Sequence, residues 1–99
     1  MNAGAFVVDG DRWQFSGELT FDDAMLVVEA ARGLPLPSSG IIDLGGLVHA
    51  DSSALAVMLA LRRRAAAEGH PELMFTHVPP MLDSLARVYG VETLIAEVP

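Results

Sequence analysis

A short, nearly all-apolar run in the middle of the chain, Gly40-Ile41-Ile42-Asp43-Leu44, lies between two segments with helical periodicity. A run of this length with β-branched members is typical of a strand that is buried on both faces. Helices on either side of such a strand imply right-handed crossovers and at least some parallel pairing. The run therefore predicts an α/β fold in which helices pack against a mixed sheet.

Two extended segments come before this strand. Ala5-Phe6-Val7-Val8 is followed by Asp9-Gly10, a dipeptide that tolerates the positive φ angles of a tight hairpin turn. In residues 13–16 aromatic and polar residues alternate, which is the period-two pattern of a half-buried strand. We expect these segments to form a β-hairpin.

Three segments carry helix signals. The first begins after Thr20 and ends at Gly33, with one apolar face formed by Phe21, Ala24, Met25 and Val28. The second runs from about Ser52 to Ala67, and the third opens at Pro79-Pro80 and closes at Gly90. We expect a loop at residues 45–50, a strand at 72–78, and one more turn or short strand at 91–99. The order β-β-α-β-α-β-α predicts one domain over residues 1–99, with a mixed four-stranded sheet flanked by three to four helices.

Charge and composition exclude several classes of function. The net charge is −7, and an acidic chain with one short basic cluster, at residues 62–64, is a poor candidate for the many phosphate contacts of a nucleic-acid-binding protein. The chain has no cysteine for a disulfide or zinc ribbon, and it has no lysine for a phosphate-binding P-loop. The longest strongly apolar stretch, residues 54–61, is too short to cross a bilayer. We expect a soluble, cytoplasmic protein without a metal, a cofactor or a nucleic-acid partner.

The second helix carries the most informative pattern. Helical spacing predicts one stripe that packs on the sheet, formed by Leu55, Met58, Leu59 and Ala66. Val57 and Leu61 point the other way, and the first two turns have no polar side chain after Ser53. This side is either covered by a neighbouring helix or the C-terminal tail, or it is a surface for a partner protein. We favour the partner surface, at whose border Arg64 is either an anchor or a solvated helix-end charge.

Asp51, Ser52 and Ser53 precede this apolar side, at the predicted N-terminus of the helix. Side-chain oxygens of Asp and Ser accept hydrogen bonds from the free amides there, so a helix cap is one interpretation. A helix N-terminus also favours anions, and phosphorylation of Ser52 would add about −1.5 to −2 charges to the proposed contact surface. Both interpretations stay open on the residues alone.

Three segments resemble the STAS family in the same element order: residues 15–20 (Phe-Ser-Gly-Glu-Leu-Thr), 41–44 (Ile-Ile-Asp-Leu) and 51–55 (Asp-Ser-Ser-Ala-Leu). In the anti-sigma-factor antagonists of this family, a kinase phosphorylates the serine that follows the aspartate, and Ser52 matches that serine. Ala54 stands where their motif has glycine. The short chain, the Ala-Leu-Ala run and the ending at residues 84–91 are similar to MlaB-type STAS subunits of phospholipid ABC transporters.

The resemblance implies a non-catalytic subunit of an Mla-type transporter that binds and supports the cytoplasmic ATPase and reaches the inner membrane only through that partner. The predicted partner-binding residues are Ser52, Ser53, Ala54, Leu55, Val57, Leu61 and Arg64. Asp43 and Asp51 are predicted to support the loop before the helix. The alternative is an anti-sigma-factor antagonist that a serine kinase switches at Ser52. A small hydrolase or ligand-binding domain that uses the same loop is a third class.

Overall fold

The structure, a computed structural model, describes residues 4–94. Its elements in chain order are β1 (Ala5–Asp9), β2 (Arg12–Leu19), α1 (Phe21–Arg32), β3 (Ile41–Ala50), α2 (Ser52–Ala67), β4 (Met74–Thr76), α3 (Pro80–Val88) and a 3₁₀ turn (Glu92–Leu94). This order confirms the predicted sequence of strands and helices. The segment at residues 95–99, where the rest of the last turn or strand is predicted, lies outside the described residues.

The four strands form one sheet in the order β1-β2-β3-β4. β1 and β2 pair antiparallel through the predicted hairpin, and Gly10 adopts a φ of 62° in its turn. β2 pairs parallel with β3, and β3 pairs parallel with β4, because α1 and α2 carry the chain back between them. The predicted α/β fold with a mixed four-stranded sheet is confirmed.

β3 is longer than predicted, because residues 45–50 are strand rather than loop. These residues pair with β2 up to its last residue, where Ala50 lies beside Leu19. The Gly45-Gly46 pair suggested a loop, but here it serves the contact between two strands. A Cβ atom on Gly46 would lie 2.6 Å from the backbone oxygen of Phe15, so only glycine permits this close approach. β4, in contrast, is shorter than the predicted 72–78.

The core lies on one face of the sheet. Its buried strand residues are Phe6, Trp13, Phe15, Leu19, Ile42, Leu44, Leu47, Ala50 and Phe75. Apolar residues of all three α-helices join the same cluster. Val7 and Gln14, which point to the other face, are exposed. The run at residues 40–44 is predicted to be buried on both faces, but Ile41 and Asp43 are only half-buried.

The predicted outward orientation of Val57 and Leu61 is wrong. Their side chains are only 3% and 5% exposed, and both line the contact between α2 and α1 beside Val28. The reason is that α2 is the middle helix, with α1 on one side and α3 on the other. At 100° per residue, its buried arc spans about 160° from Val57 to Leu55. The buried side of α2 is therefore wider than the single sheet-facing stripe that the sequence predicted. Ala66, a member of that predicted stripe, is exposed.

Candidate docking surface

Asp51 holds the N-termini of α1 and α2 together. Its Oδ1 accepts a hydrogen bond from the Ser53 amide at 2.8 Å, which caps α2 as predicted. Its Oδ2 accepts a hydrogen bond from the Phe21 amide, the first of α1, at 3.0 Å. Thr20 occupies the N-cap position of α1, but its hydroxyl bonds to the Asp23 carboxylate instead of a backbone amide. One carboxylate therefore serves two helices.

These contacts set the acidity of Asp51. Burial acts to raise the pKa of its carboxyl group, because a charge in a less polar environment loses hydration. The amide hydrogen bonds from Phe21 and Ser53, followed by the Ser53 hydroxyl and the nearby His49, stabilise the charged form and outweigh burial. The pKa of Asp51 therefore lies below its ordinary value, and the carboxylate that joins the two helices is charged at neutral pH.

The predicted partner-binding residues separate into surface and core. Ser52 is exposed and Ser53 is half-buried, so both can be reached from outside. Ala54 and Leu55 are only 0% and 4% exposed and pack in the core, as Val57 and Leu61 do. The flanking helices and the sheet cover most of these four side chains, so the exposed part of this set is mainly Ser52 and Ser53, and its contact with a partner stays a prediction.

Arg64 is used within the chain. Its two terminal nitrogens donate hydrogen bonds to the backbone oxygens of Ala31 at 3.1 Å and Leu34 at 2.6 Å. Its Nε donates to Glu68 at 2.8 Å. The guanidinium thus satisfies carbonyls at the C-terminal end of α1 and joins that end to α2. Neither alternative considered from the sequence, a partner anchor or a solvated charge, included this role, and contact of Arg64 with a partner stays a prediction.

Asp43 supports a different part of the molecule from the one predicted. Its Oδ1 accepts hydrogen bonds from the Gly45 amide at 2.8 Å and from Nδ1 of His77 at 3.0 Å. Because β3 continues to Ala50, the strand rise places Asp43 more than about 20 Å from Asp51. Asp43 therefore stabilises the middle of β3 and the end of β4, where His77 adopts an unusual φ of 55°, and not the loop at Ser52.

The sequence interpretation missed an exposed apolar surface on α1. Phe21 is 80% exposed and Met25 77% exposed, whereas the core-facing positions of this helix are Val27 and Ala31. A signal was present in the sequence, since all six positions at 21 and 24–28 are apolar. Around the helix, these positions cover a wider arc than a helix packed on one face of a sheet needs for its contact with the core.

A groove of about 630 Å³ runs between α1 and α2. We call it the α1–α2 groove; it is lined by Phe21, Asp22, Ala24, Met25, Val28, Glu29, Arg32, Ser53, Ala56 and Val57. A second hollow of about 420 Å³ shares Val28 and Arg32 with it and continues toward Leu61. The exposed side chains of Phe21 and Met25 therefore border an open, largely apolar trough that begins beside Ser53.

A comparison with protein families assigns the chain. The family model described as "Mlab, STAS domain" matches residues 9–96, which is nearly the whole of the 99-residue chain. The chain belongs to the MlaB-type STAS family. No curated protein matches the sequence. STAS domains are generally non-catalytic binding or regulatory domains.

The described residues of this STAS domain around Ser52 form an exposed surface. Within residues 4–94, no hydrogen bond links His49 to Ser52 or Asp51, as a serine–histidine–aspartate triad requires. The part of the chain that the structure describes holds no group of three or more potential metal ligands and no helix long and apolar enough to span a membrane. What this end of the domain offers is apolar surface beside a hydroxyl group. We call Phe21, Met25, Ser52, Ser53 and Ala56 the docking surface.

Proposed function

We propose that this STAS domain is a non-catalytic accessory subunit of an Mla-type phospholipid-transport ABC complex, and that it binds the ATPase of that complex through the docking surface. The observation that carries the proposal is the exposure of Phe21 and Met25 at the edge of the α1–α2 groove, beside Ser53. The match to the MlaB-type family model supports the choice of partner. In this proposal the domain supports the assembly or activity of the ATPase without a catalytic residue of its own.

Two large side chains of this kind can supply most of the affinity of a small interface. Removing a Phe or Met side chain from water stabilises a complex by about 1.5–3 kcal/mol each. Interfaces depend on a few such anchors that are surrounded by near-neutral contacts. On the α2 side, Ser52 and Ala56 are small, so a partner can approach the helix closely. Phe21 and Met25 would be the anchors, and the serine end of α2 would be the close contact.

The exposure of Ser52 supports a second candidate function, that of an anti-sigma-factor antagonist. Its hydroxyl lies at the N-terminus of α2 and next to Asp51, in the position that the family's kinases modify. A phosphate there would add about −1.5 to −2 charges directly to the docking surface. In this candidate the partner is a serine kinase, and the modification ends docking.

The first test measures binding of purified chain to the purified ATPase of the Mla-type transporter from the same cell. Phe21→Asp and Met25→Asp should each weaken binding at least tenfold, because a carboxylate would replace an anchor at the interface. The matched control is Val88→Asp on α3, since Val88 is 79% exposed and is part of neither the groove nor the docking surface. The proposal is wrong if both α1 variants bind the ATPase as well as the control does.

The second test separates the two candidates. Chain isolated from its native cell at several growth stages is analysed by mass spectrometry for phosphate on Ser52, and its bound proteins are identified in the same samples. Phosphate on Ser52 together with a bound serine kinase, and no ATPase, would favour the antagonist. A bound ATPase with unmodified Ser52 at every stage would favour the transporter subunit.

A further inference from the structure

The charges of this domain are distributed unequally between its two ends. We define the serine end as the end where β2 and β3 finish and α1 and α2 begin. Of the residues that the structure describes, four carboxylates lie there, those of Glu18, Asp22, Asp23 and Asp51. The arginines all lie elsewhere: one at the start of β2 and five in the C-terminal halves of the helices, at Arg12, Arg32, Arg62, Arg63, Arg64 and Arg87. The groove therefore begins at an acidic end.

Ion pairs increase this difference in charge between the two ends of the domain. Five of the arginines have a carboxylate partner, and these pairs join Arg12 to Asp11, Arg32 to Glu29, Arg62 to Glu72, Arg64 to Glu68 and Arg87 to Asp83. None of the four carboxylates at the serine end is in an ion pair with an arginine of the described chain. In the part of the chain that the structure describes, the basic side chain close to this end is His49, which lies beside Glu18 in the sheet. Among the described residues, the side-chain charge at this end is thus negative and has no arginine partner.

We infer that the occupant of the α1–α2 groove is a helix of the partner protein, with an apolar face flanked by arginine or lysine residues. The groove lies between two helices that start at the same end, and α1 gives it a length of about 18 Å, which is three turns of a third helix. Its lining and the exposed Phe21 and Met25 fit an apolar helix face. The four carboxylates fit basic residues at the side of that face.

The same charges argue against two other occupants. In a symmetric dimer that pairs the two serine ends, the acidic groups of both copies would lie close together, and like charges in an interface are unfavourable. An anionic lipid would meet the Asp22 carboxylate at the mouth of the groove. A basic helix has neither disadvantage.

This inference rests on the proposed function only for the identity of the natural partner. With the ATPase as probe, the association rate constant is measured by surface plasmon resonance between 50 and 500 mM NaCl. We expect a decrease of about tenfold, because salt screens the attraction that steers the two proteins together. Asp22→Lys should lower the rate about fivefold at low salt. Asp9→Lys, a matched reversal at the far end of β1, should leave it within twofold.

A second arm does not need the ATPase. Two synthetic 15-residue helical peptides share one leucine face and differ only in flanking lysines or flanking glutamates. Amide chemical shifts of the labelled chain should change at Ala24, Val28 and Ala56 with the lysine peptide, and Met25→Asp should remove the effect. If the ATPase binds but its association rate constant changes neither with salt nor with Asp22→Lys, the inference is overturned while the proposed function stands.

If the ATPase fails to bind, the proposed function fails and the peptide arm decides the inference alone. Equal response to both peptides, or shifts confined to β1 or α3, would overturn it. A dimer of the chain that Met25→Asp disrupts would also overturn it, and so would binding to phosphatidylglycerol vesicles that the lysine peptide displaces.

Discussion

The substitution Asp51→Ala removes the cap that α1 and α2 share. It should destabilise the domain more than an alanine substitution of any other acidic residue in the first turns of these two helices. The carboxylate accepts hydrogen bonds from the Ser53 and Phe21 amides at 2.8 and 3.0 Å, and alanine can accept neither. Loss of a helix N-cap costs about 1 kcal/mol. The hydrogen bond from the Phe21 amide also contributes about 1 kcal/mol, which is below the usual range of about 1.5–3 kcal/mol for a charged acceptor. The amide lies at an exposed site, where water can replace the carboxylate oxygen.

The expected loss is therefore about 2 kcal/mol in the free energy of unfolding. For a domain of this size that corresponds to a fall of roughly 8 to 16 °C in the melting temperature. Urea and thermal unfolding followed by circular dichroism measure both quantities. Asp22→Ala is the control, because Asp22 is in the first turn of α1 and takes part in none of the hydrogen bonds or ion pairs that hold the two helices. Equal losses for the two variants would refute the double cap.

The same residue predicts the pH dependence of stability. Because the pKa of Asp51 is lower in the folded chain than in the unfolded chain, its stabilisation is fully present above the unfolded pKa, about 3.9. It is lost as the pH falls through the folded pKa. The difference in unfolding free energy between wild type and Asp51→Asn should therefore shrink between pH 4 and pH 2. A difference that is constant over this range would contradict the assignment.

Three further substitutions test the packing. Val57→Asp should cost about 3 kcal/mol or more, because it places a carboxylate under α1, and a native-like thermal melt would contradict the burial of this residue. Arg64→Leu leaves the carbonyls of Ala31 and Leu34 without their donor and should lower the free energy of unfolding by about 1–3 kcal/mol. Hydrogen exchange at residues 33–36 should be faster. Unchanged protection there would contradict the role of Arg64 in joining α1 to α2. His77→Val should be less stable than His77→Gly by about 1–2 kcal/mol in urea unfolding, because a β-branched residue is strained at a φ of 55°, and equal stabilities would show that this backbone angle is not maintained.

Local signals predicted the elements of this fold well. Asp9-Gly10 indicated the hairpin turn, and Asp51-Ser52 indicated the start of α2, because turns and caps depend on neighbouring residues alone. The length of β3 was harder to predict. Gly45-Gly46 is typical of a loop, and its actual role, a close contact with the backbone of β2, depends on a strand that is about 30 residues away.

The orientation of the helices required knowledge of their neighbours. Periodicity showed that α2 has two apolar sides, but it could not say that α1 covers the side of Val57 and Leu61. Once α1 takes that place, its own surplus of apolar residues at Phe21 and Met25 becomes the exposed surface. The exposed apolar side chains thus lie on α1, beside the N-terminus of α2 where the sequence predicted a partner surface, and partner binding itself stays a prediction.

The double hydrogen bonding of Asp51 has a consequence for how tightly this surface can bind. Phe21 and Ser53 are 32 positions apart in the chain, yet one side chain connects their amides. Two helices that are joined in this way form one rigid surface. Binding of a second molecule then costs little conformational entropy in this part of the domain. Complexes made by preformed surfaces keep more of their contact energy as affinity. In the proposed complex, the two large side chains of Phe21 and Met25 would therefore be enough for tight binding.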